Sequence, residues 1–367
     1  METEFSYQFY STTKSAWDGM YQGILATKKS VYWEVYALLD DVSGKPFIDL
    51  LCEKAKAGID VKIVVDGVGS YHLSDASTKR LRLAGAKVYI FNRLYPALNL
   101  VNWWRRVWYR THRKVLIIDE ETIFIGGVNV EDLAIGWDDL HLKLSGKIVR
   151  PMLYGFAQSY VHSGGSEEDV RQFLQPELLS GINNSKEKVN FIINSPIYIK
   201  GSASNKIYAE ALNNAKESFN LLTPYYVPDL HFLELVSKAK HRGVDVNIIL
   251  PMETDVRIMQ YMARAFYGIS KKAGAAFYFL RNMNHGKAVT SDNKLGIVGS
   301  TNLTHRGFFI NQEAGVAFSH EQMINDLNQI LDDWKKGAVP LAEVGFGERN
   351  WYTRFKGWWV RRFKDYV

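Results

Sequence analysis

The chain has 367 residues and 42.0 kDa, 47% hydrophobic and 23% charged, which suits two packed domains and excludes a disordered or fibrous protein. A net charge of +6 with 13% aromatic residues points to anionic partners, either nucleic acid or anionic lipid. Cys52 is the single cysteine, so an intrachain disulfide and a cysteine-based metal cluster are excluded, and its place in an apolar helical pattern reads as a small buried hydrophobe.

Met1 to Lys14 carry acids and polar residues where a signal peptide would place a basic region and an apolar core. No uncharged apolar stretch reaches the length of a bilayer span, so a cytoplasmic chain is expected. Apolar periodicity then predicts a helix over Ser15 to Lys28, a strand over Val31 to Ala37, a helix over Phe47 to Ala57 and a strand over Val61 to Val65. Strands follow at Lys87 to Phe91, Val115 to Ile118 and Thr122 to Ile125. A polar stretch, Gly181 to Lys188, reads as a boundary. Beyond it the order recurs: helix Asn205 to Lys216, strand Phe219 to Thr223, helix Leu230 to Lys240, strand Val246 to Leu250, then strands Phe277 to Leu280 and Leu295 to Val298.

The alternation argues for an α/β fold of two similar sandwich halves, with largely buried mixed sheets flanked by helices. We expect repeat one over residues 1–184, repeat two over 185–335 and a C-terminal tail over 336–367. The duplication is explicit in the residues. His112-Arg-Lys114-Val-Leu-Ile-Ile-Asp119 precedes Gly126, Gly127 and Asn129, and His285-Gly-Lys287-Ala-Val-Thr-Ser-Asp292 precedes Gly299, Ser300 and Asn302, at a constant offset of 285 − 112 = 173. Upstream, Gly58 and Gly243 match at 243 − 58 = 185, so repeat one carries an insertion before His112, at about 94–111.

Each copy offers an imidazole, an ammonium group and a carboxamide. Two copies related by a pseudo-twofold would place six such groups around one point at the interface of the halves. That inventory suits a phosphodiester: Lys114, Lys287, Asn129 and Asn302 can hold the non-bridging oxygens, while one histidine attacks phosphorus and the other protonates the leaving alkoxide. The cationic side chains do what a metal ion does at other phosphoryl-transfer sites, so neither metal nor cofactor is implied. Asp119 and Asp292 read as anchors of a strand turn.

HRKVLIID…GGVN and HGKAVTSD…GSTN resemble the paired HxKxxxxD motifs of the phospholipase D superfamily. Within it, VVDGVGS (64–70), GWDDLHLKLSG (136–146) and TPYYVPD (223–229) are most similar to bacterial cardiolipin synthases of the phospholipase D type. The resemblance implies that His112 is the nucleophile and His285 the general acid and later base, although the two copies are equals by sequence. It also implies a carboxylate on each imidazole. Glu313 lies 28 residues after His285 and Asp139 lies 27 after His112, so Glu313 is expected on His285 and Asp139 on His112, with Asp138 as the alternative. One branch of that family has N-terminal transmembrane helices with no counterpart here, which makes the expected attachment peripheral, on the inner face of the cell membrane.

His72, His141, His162, His231, His241, His305 and His320 lack the spacing of a helical metal pair and read as structural or surface residues, with His141 set apart by its closeness to Asp139. Tyr225 and Tyr226 fall either at the site wall or in the core. Two segments are both aromatic and basic: the insertion NLVNWWRRVWYR (99–110) and the tail NWYTRFKGWWVRRFKDYV (350–367). Their Trp103, Trp104, Arg105, Arg106, Trp108, Trp351, Phe355, Trp358, Trp359 and Arg361 are candidates for a membrane interface.

The leading expectation is transphosphatidylation at a phosphatidylglycerol-containing membrane surface, two phosphatidylglycerols giving cardiolipin and glycerol through a phosphohistidine. A hydrolytic phospholipase D giving phosphatidic acid is the alternative, followed by a nuclease or phosphodiesterase. Nucleic acid is disfavoured because the basic and aromatic residues cluster in two segments rather than along a track. No obligate dimer is needed, since one chain holds both motifs.

Overall fold

The computed structural model of the protein describes residues 5–94, 103, 106–175, 178, 188–195 and 202–344. In the first half β1 (Ser6–Thr12) leads into α1 (Thr13–Ala26), whose first turn is closed by the Thr12 hydroxyl accepting from the Ser15 N–H. Next come β2 (Ser30–Val35), α2 (Lys45–Lys56), β3 (Asp60–Asp66), α3 (Asp75–Leu83) and β4 (Lys87–Phe91). The helices carry the chain back across the sheet, so β2, β3 and β4 run parallel, with Val31 beside Val61 and Ile63 beside Val88. Then β5 (Lys114–Ile118), β6 (Thr122–Gly126) and β7 (Asp138–Ser145) pair antiparallel, and β7 takes up β1. The result is a seven-stranded sheet of order β1-β7-β6-β5-β2-β3-β4.

After α4 (Arg150–His162) the pattern is repeated. β8 (Val189–Asn194), α5 (Ala203–Asn214), β9 (Ser218–Leu222), α6 (Leu230–His241), β10 (Asp245–Pro251), α7 (Arg257–Ala273) and β11 (Ala275–Leu280) reproduce the first half's opening. β12 (Ala288–Ser291), β13 (Leu295–Gly299), α8 (His305–Phe309) and β14 (Glu313–Phe318) follow, then α9 (Glu321–Lys336) and β15 (Val339–Pro340). The second sheet runs β8-β14-β13-β12-β9-β10-β11-β15, the first sheet's order with one edge strand added. That match of two mixed sheets, helix for helix, is the duplication seen in the motifs. β15 pairs with β11, so the chain beyond α9 stays attached to the second sheet at its start.

Three apolar cores result among the described residues. One lies under α1 and α2 in the first half and includes Cys52; another lies under α5, α6 and α7 in the second. The third is shared: Ile117, Ile125 and Leu142 of one sheet meet Val298, Val316 and Phe318 of the other, with α4 (Phe156, Tyr160) and α9 (Leu327, Leu331) filling the flanks. Each such side chain contributes roughly 2 kcal/mol on burial, against a net stability of about 5–15 kcal/mol for a whole domain. Separating the halves would therefore expose more apolar surface than the fold can tolerate. No helix among the described residues is long and apolar enough to cross a membrane.

Candidate active site

The two HxK segments meet where the sheets abut, and each is docked on the other half's strand. His112 donates its N–H to the Gln312 carbonyl, and the Gln312 N–H donates to the Arg110 carbonyl. Across the pseudo-twofold, His285 donates to the Asp138 carbonyl and Asp138 to the Met283 carbonyl. β5 itself begins at Lys114, so His112 stands in the lead-in to the strand and is fixed by this bridge.

The exchange of strands reverses the expected carboxylate pairing. Glu313, at the head of β14, lies 3.1 Å from Nδ1 of His112, and Asp139 of β7 lies 3.1 Å from Nδ1 of His285. Spacing along the chain carries no information about which side of an interface a strand end faces, which is why the within-repeat assignment fails. Asp138, the alternative, meets His285 through its backbone carbonyl.

The two dyads are not equivalent. Nδ1 of His112 is also 3.1 Å from the carbonyl of Ser300, which can only accept. Nδ1 is therefore the proton-bearing nitrogen, and Nε2 presents a lone pair. Burial, reinforced by the charges of Lys114, Lys287 and His285, holds the His112 pKa well below the ordinary value. His285 is also lowered by burial and by Lys287, but the charge and hydrogen bond of Asp139 oppose the shift. Burial pushes Glu313 up to about 8 against Lys114 and the Ser300 hydroxyl, which bonds its carboxylate. Burial also acts to raise Asp139, yet the charge and hydrogen bond of His285 outweigh it and hold Asp139 below the ordinary value. Where repeat two has Ser300, repeat one has Gly127, and a Cβ there would collide with the Asp139 carboxylate.

Lys114 donates to the carbonyl of His112 at 2.8 Å and Lys287 to that of His285, so each ammonium is held beside its own histidine. Both lysines are wholly buried; burial lowers Lys287 to about 8 and Lys114 well below its ordinary value, the latter also through Lys287. The Asn129 side-chain amide donates to Glu131 at 3.0 Å, and its backbone carbonyl receives the Trp17 indole N–H at 2.7 Å. The side-chain oxygens of Asn129 and Asn302 are buried without a partner. Aromatic rings wall the centre: Tyr36 packs edge-on to His112 at 5.0 Å, while Trp137 and Tyr225 stand 5.7 and 6.2 Å from His285. Tyr226 lies in the second half's core, bonded to Ser270.

Asp119 and Asp292 are turned away from this centre. Asp119 accepts from the backbone of Lys28, Lys29 and Ser30 and from the Thr27 hydroxyl, and Asp292 from the backbone of Lys216, Glu217 and Ser218. His141 is buried beneath the site and lowered to about 4 by burial. Of the membrane candidates, Arg106 donates to the Arg93 carbonyl and Trp108 packs against Arg306, while Trp103 is half-buried. Trp104, Arg105, Trp351, Phe355, Trp358, Trp359 and Arg361 lie outside the described residues. Sequence reading missed Tyr36, Glu131, Trp137, Ser300 and Arg113; the Ser300/Gly127 and Arg113/Gly286 differences within the duplicated motif could have signalled two of them.

A family model described as "Cardiolipin synthase, PLD-like domain" matches residues 20–141 and 208–334. The chain is 29% identical over 335 residues to a cardiolipin synthase of Geobacillus thermodenitrificans, covering 88% of this chain and 65% of that protein. It is also 29% identical over 361 residues to a cardiolipin synthase of Clostridium perfringens, covering 94% and 73%. The chain thus spans about two thirds of the length of such relatives. Among solved structures, phosphatidylserine synthase of Haemophilus influenzae superposes with a TM-score of 0.70 over 97% of this chain and 92% of that one, at 13% identity. Polyphosphate kinase of Porphyromonas gingivalis superposes with a TM-score of 0.56 over 89% and 46%, at 12% identity. At those identities the superpositions show a shared fold.

Proposed function

The chain belongs to the cardiolipin synthase, phospholipase D-like domain family, and from that premise we propose that it is a phosphatidyltransferase that joins two phosphatidylglycerols into cardiolipin, releasing glycerol. The supporting observation is the set of acceptors at Nδ1 of His112. With Nδ1 donating to the Ser300 carbonyl and to Glu313, Nε2 is the nitrogen left to attack phosphorus.

In the first step the Nε2 lone pair forms a bond to phosphorus as the bond to the headgroup glycerol breaks, and His285 gives its proton to the departing alkoxide. Asp139 supports that protonated form of His285. In the second step neutral His285 takes the proton from a hydroxyl of the second phosphatidylglycerol, whose oxygen displaces His112. Lys114 and Lys287, with the amides of Asn129 and Asn302, hold the non-bridging oxygens through both steps. Burial excludes water, so a lipid hydroxyl rather than water is the favoured acceptor. The aromatic and basic segments at 99–110 and 350–367 would hold the site against the anionic inner face of the cell membrane.

The test supplies phosphatidylglycerol vesicles and analyses lipids by mass spectrometry, with a nuclease assay alongside. Cardiolipin with free glycerol is expected. Phosphatidic acid alone would indicate the hydrolase, and inert lipid with degraded DNA would overturn the lipid reading.

A further inference from the structure

The pseudo-twofold also breaks at a charged residue on α8. Arg306 on α8 is half-buried, and the repeat offset sets it against Leu133, which is exposed. Its Nη2 donates to the Trp108 carbonyl at 3.0 Å, and its guanidinium lies 5.3 Å above the Trp108 ring. Trp108 belongs to the insertion peculiar to repeat one, so the insertion closes onto repeat two at this point.

Arg306 forms no ion pair with any described carboxylate. The nearby Asp66 is taken up by Arg110, at 2.9 Å, and by the N–H groups of Val68, Gly69 and Thr111. By sequence, the insertion that carries Trp108 (94–111) contains three arginines and no acid. A half-buried guanidinium without a carboxylate is costly unless an anion arrives to meet it. Tyr36 links this place to the reaction centre: its ring packs on His112 and under Lys114, whose Nζ is 4.9 Å from the ring centre, while Arg306 and Arg110 both act electrostatically on its phenol. Burial lowers Arg306 somewhat, but a guanidinium stays charged at neutral pH.

We propose that Arg306, seated on Trp108 beside Tyr36, forms a second anion subsite that holds a lipid phosphodiester other than the one reacting. Resting on the function given above, this subsite takes the phosphate that the acceptor lipid itself carries, one glycerol unit from its attacking hydroxyl. A planar guanidinium suits such a group because it can bind two oxygens at once. The reacting phosphate stays with the lysines and asparagines of the duplicated motif. Phosphate-bearing alcohols are thereby selected over neutral ones.

The experiment compares two reactions that share one donor. Phosphatidylglycerol vesicles are given to the wild type and to Arg306→Gln and Arg306→Lys in the presence of labelled glycerol. Cardiolipin formation reports the phosphate-bearing acceptor, and label entering phosphatidylglycerol reports the neutral one. For Arg306→Gln, loss of a charge-assisted contact should lower cardiolipin formation by about tenfold or more, with glycerol exchange kept within about twofold and Arg306→Lys falling between. A parallel fall in both reactions would assign Arg306 to folding, membrane binding or the chemical step and overturn the subsite, as would no fall in either. A wild type that performs neither reaction would instead overturn the function on which the subsite rests.

Discussion

At the scale of the residue, the site depends on two histidines of one type being held in different surroundings. His112 has Nδ1 fixed as a donor by a carbonyl and lies deep among positive charges, whereas His285 keeps an ionised Asp139 on its Nδ1. Replacing His112 by Asn should reduce turnover by roughly 10³-fold or more without unfolding the protein. A phosphoenzyme that still formed in that variant would transfer the nucleophilic role to His285. Asp139→Asn removes the charge that favours protonated His285, so His285 would lose its proton at lower pH. The high-pH limb of the kcat/KM profile should then move down, with a fall of about 10²-fold or more near neutrality. If Asp139 served His112 instead, the low-pH limb would be the one to move.

At the scale of the element, the motif aspartates act through the turn they begin. Asp119 and Glu120 take φ of 52° and 62°, and Asp292 and Asn293 take 51° and 52°, the consecutive left-handed residues of a tight hairpin between β5 and β6 and between β12 and β13. From there each carboxylate binds the backbone where α1 or α5 gives way to its following strand, fastening helix, strand and hairpin together. Asp292→Ala would leave three backbone donors unmet and should cost about 2 kcal/mol, read from urea unfolding. Burial opposes the ionised form of Asp292, but those donors lower its pKa in the folded state. Its stabilisation is therefore present above the unfolded carboxylate pKa of about 3.9 and fades as pH falls through the lower folded value. The variant should lose less stability than the wild type over that acidic window. Helices α1, α2, α5 and α6 and strands β2, β3, β9 and β10 were readable to within about two residues because their apolar period is long and clear. β7 and β14 were not assigned as strands, although Leu140, Leu142 and Leu144 alternate toward the core, because the polar residues between them resemble a loop.

At the scale of the whole molecule, the halves are joined by Arg113, between the two site residues His112 and Lys114. Its guanidinium is fully buried and donates to the carbonyls of Glu313 and Gly155 and to the hydroxyls of Ser159 and Ser195, tying β14, α4 and the end of β8 to repeat one's HxK segment. Repeat two has Gly286 at the matching place, so one side alone carries this anchor. Arg113→Ala should cost about 3–5 kcal/mol, measured by denaturant unfolding; a loss below about 1 kcal/mol would mean that the shared apolar core holds the halves without it. The membrane attachment proposed above also belongs to this scale. Removal of residues 350–367 should weaken sedimentation with phosphatidylglycerol vesicles, and unchanged binding would return that segment to an ordinary structural role.

The sequence by itself determined the family, the duplication and the α/β character, because those follow from residue types at fixed spacing and from apolar period, which are properties along the chain. Which carboxylate serves which histidine, the tautomer of His112 and the seating of Arg306 on Trp108 without a described carboxylate were decided only in three dimensions. Each depends on a strand or insertion crossing the interface between the halves, and separation along the chain does not record which side of that interface a side chain reaches.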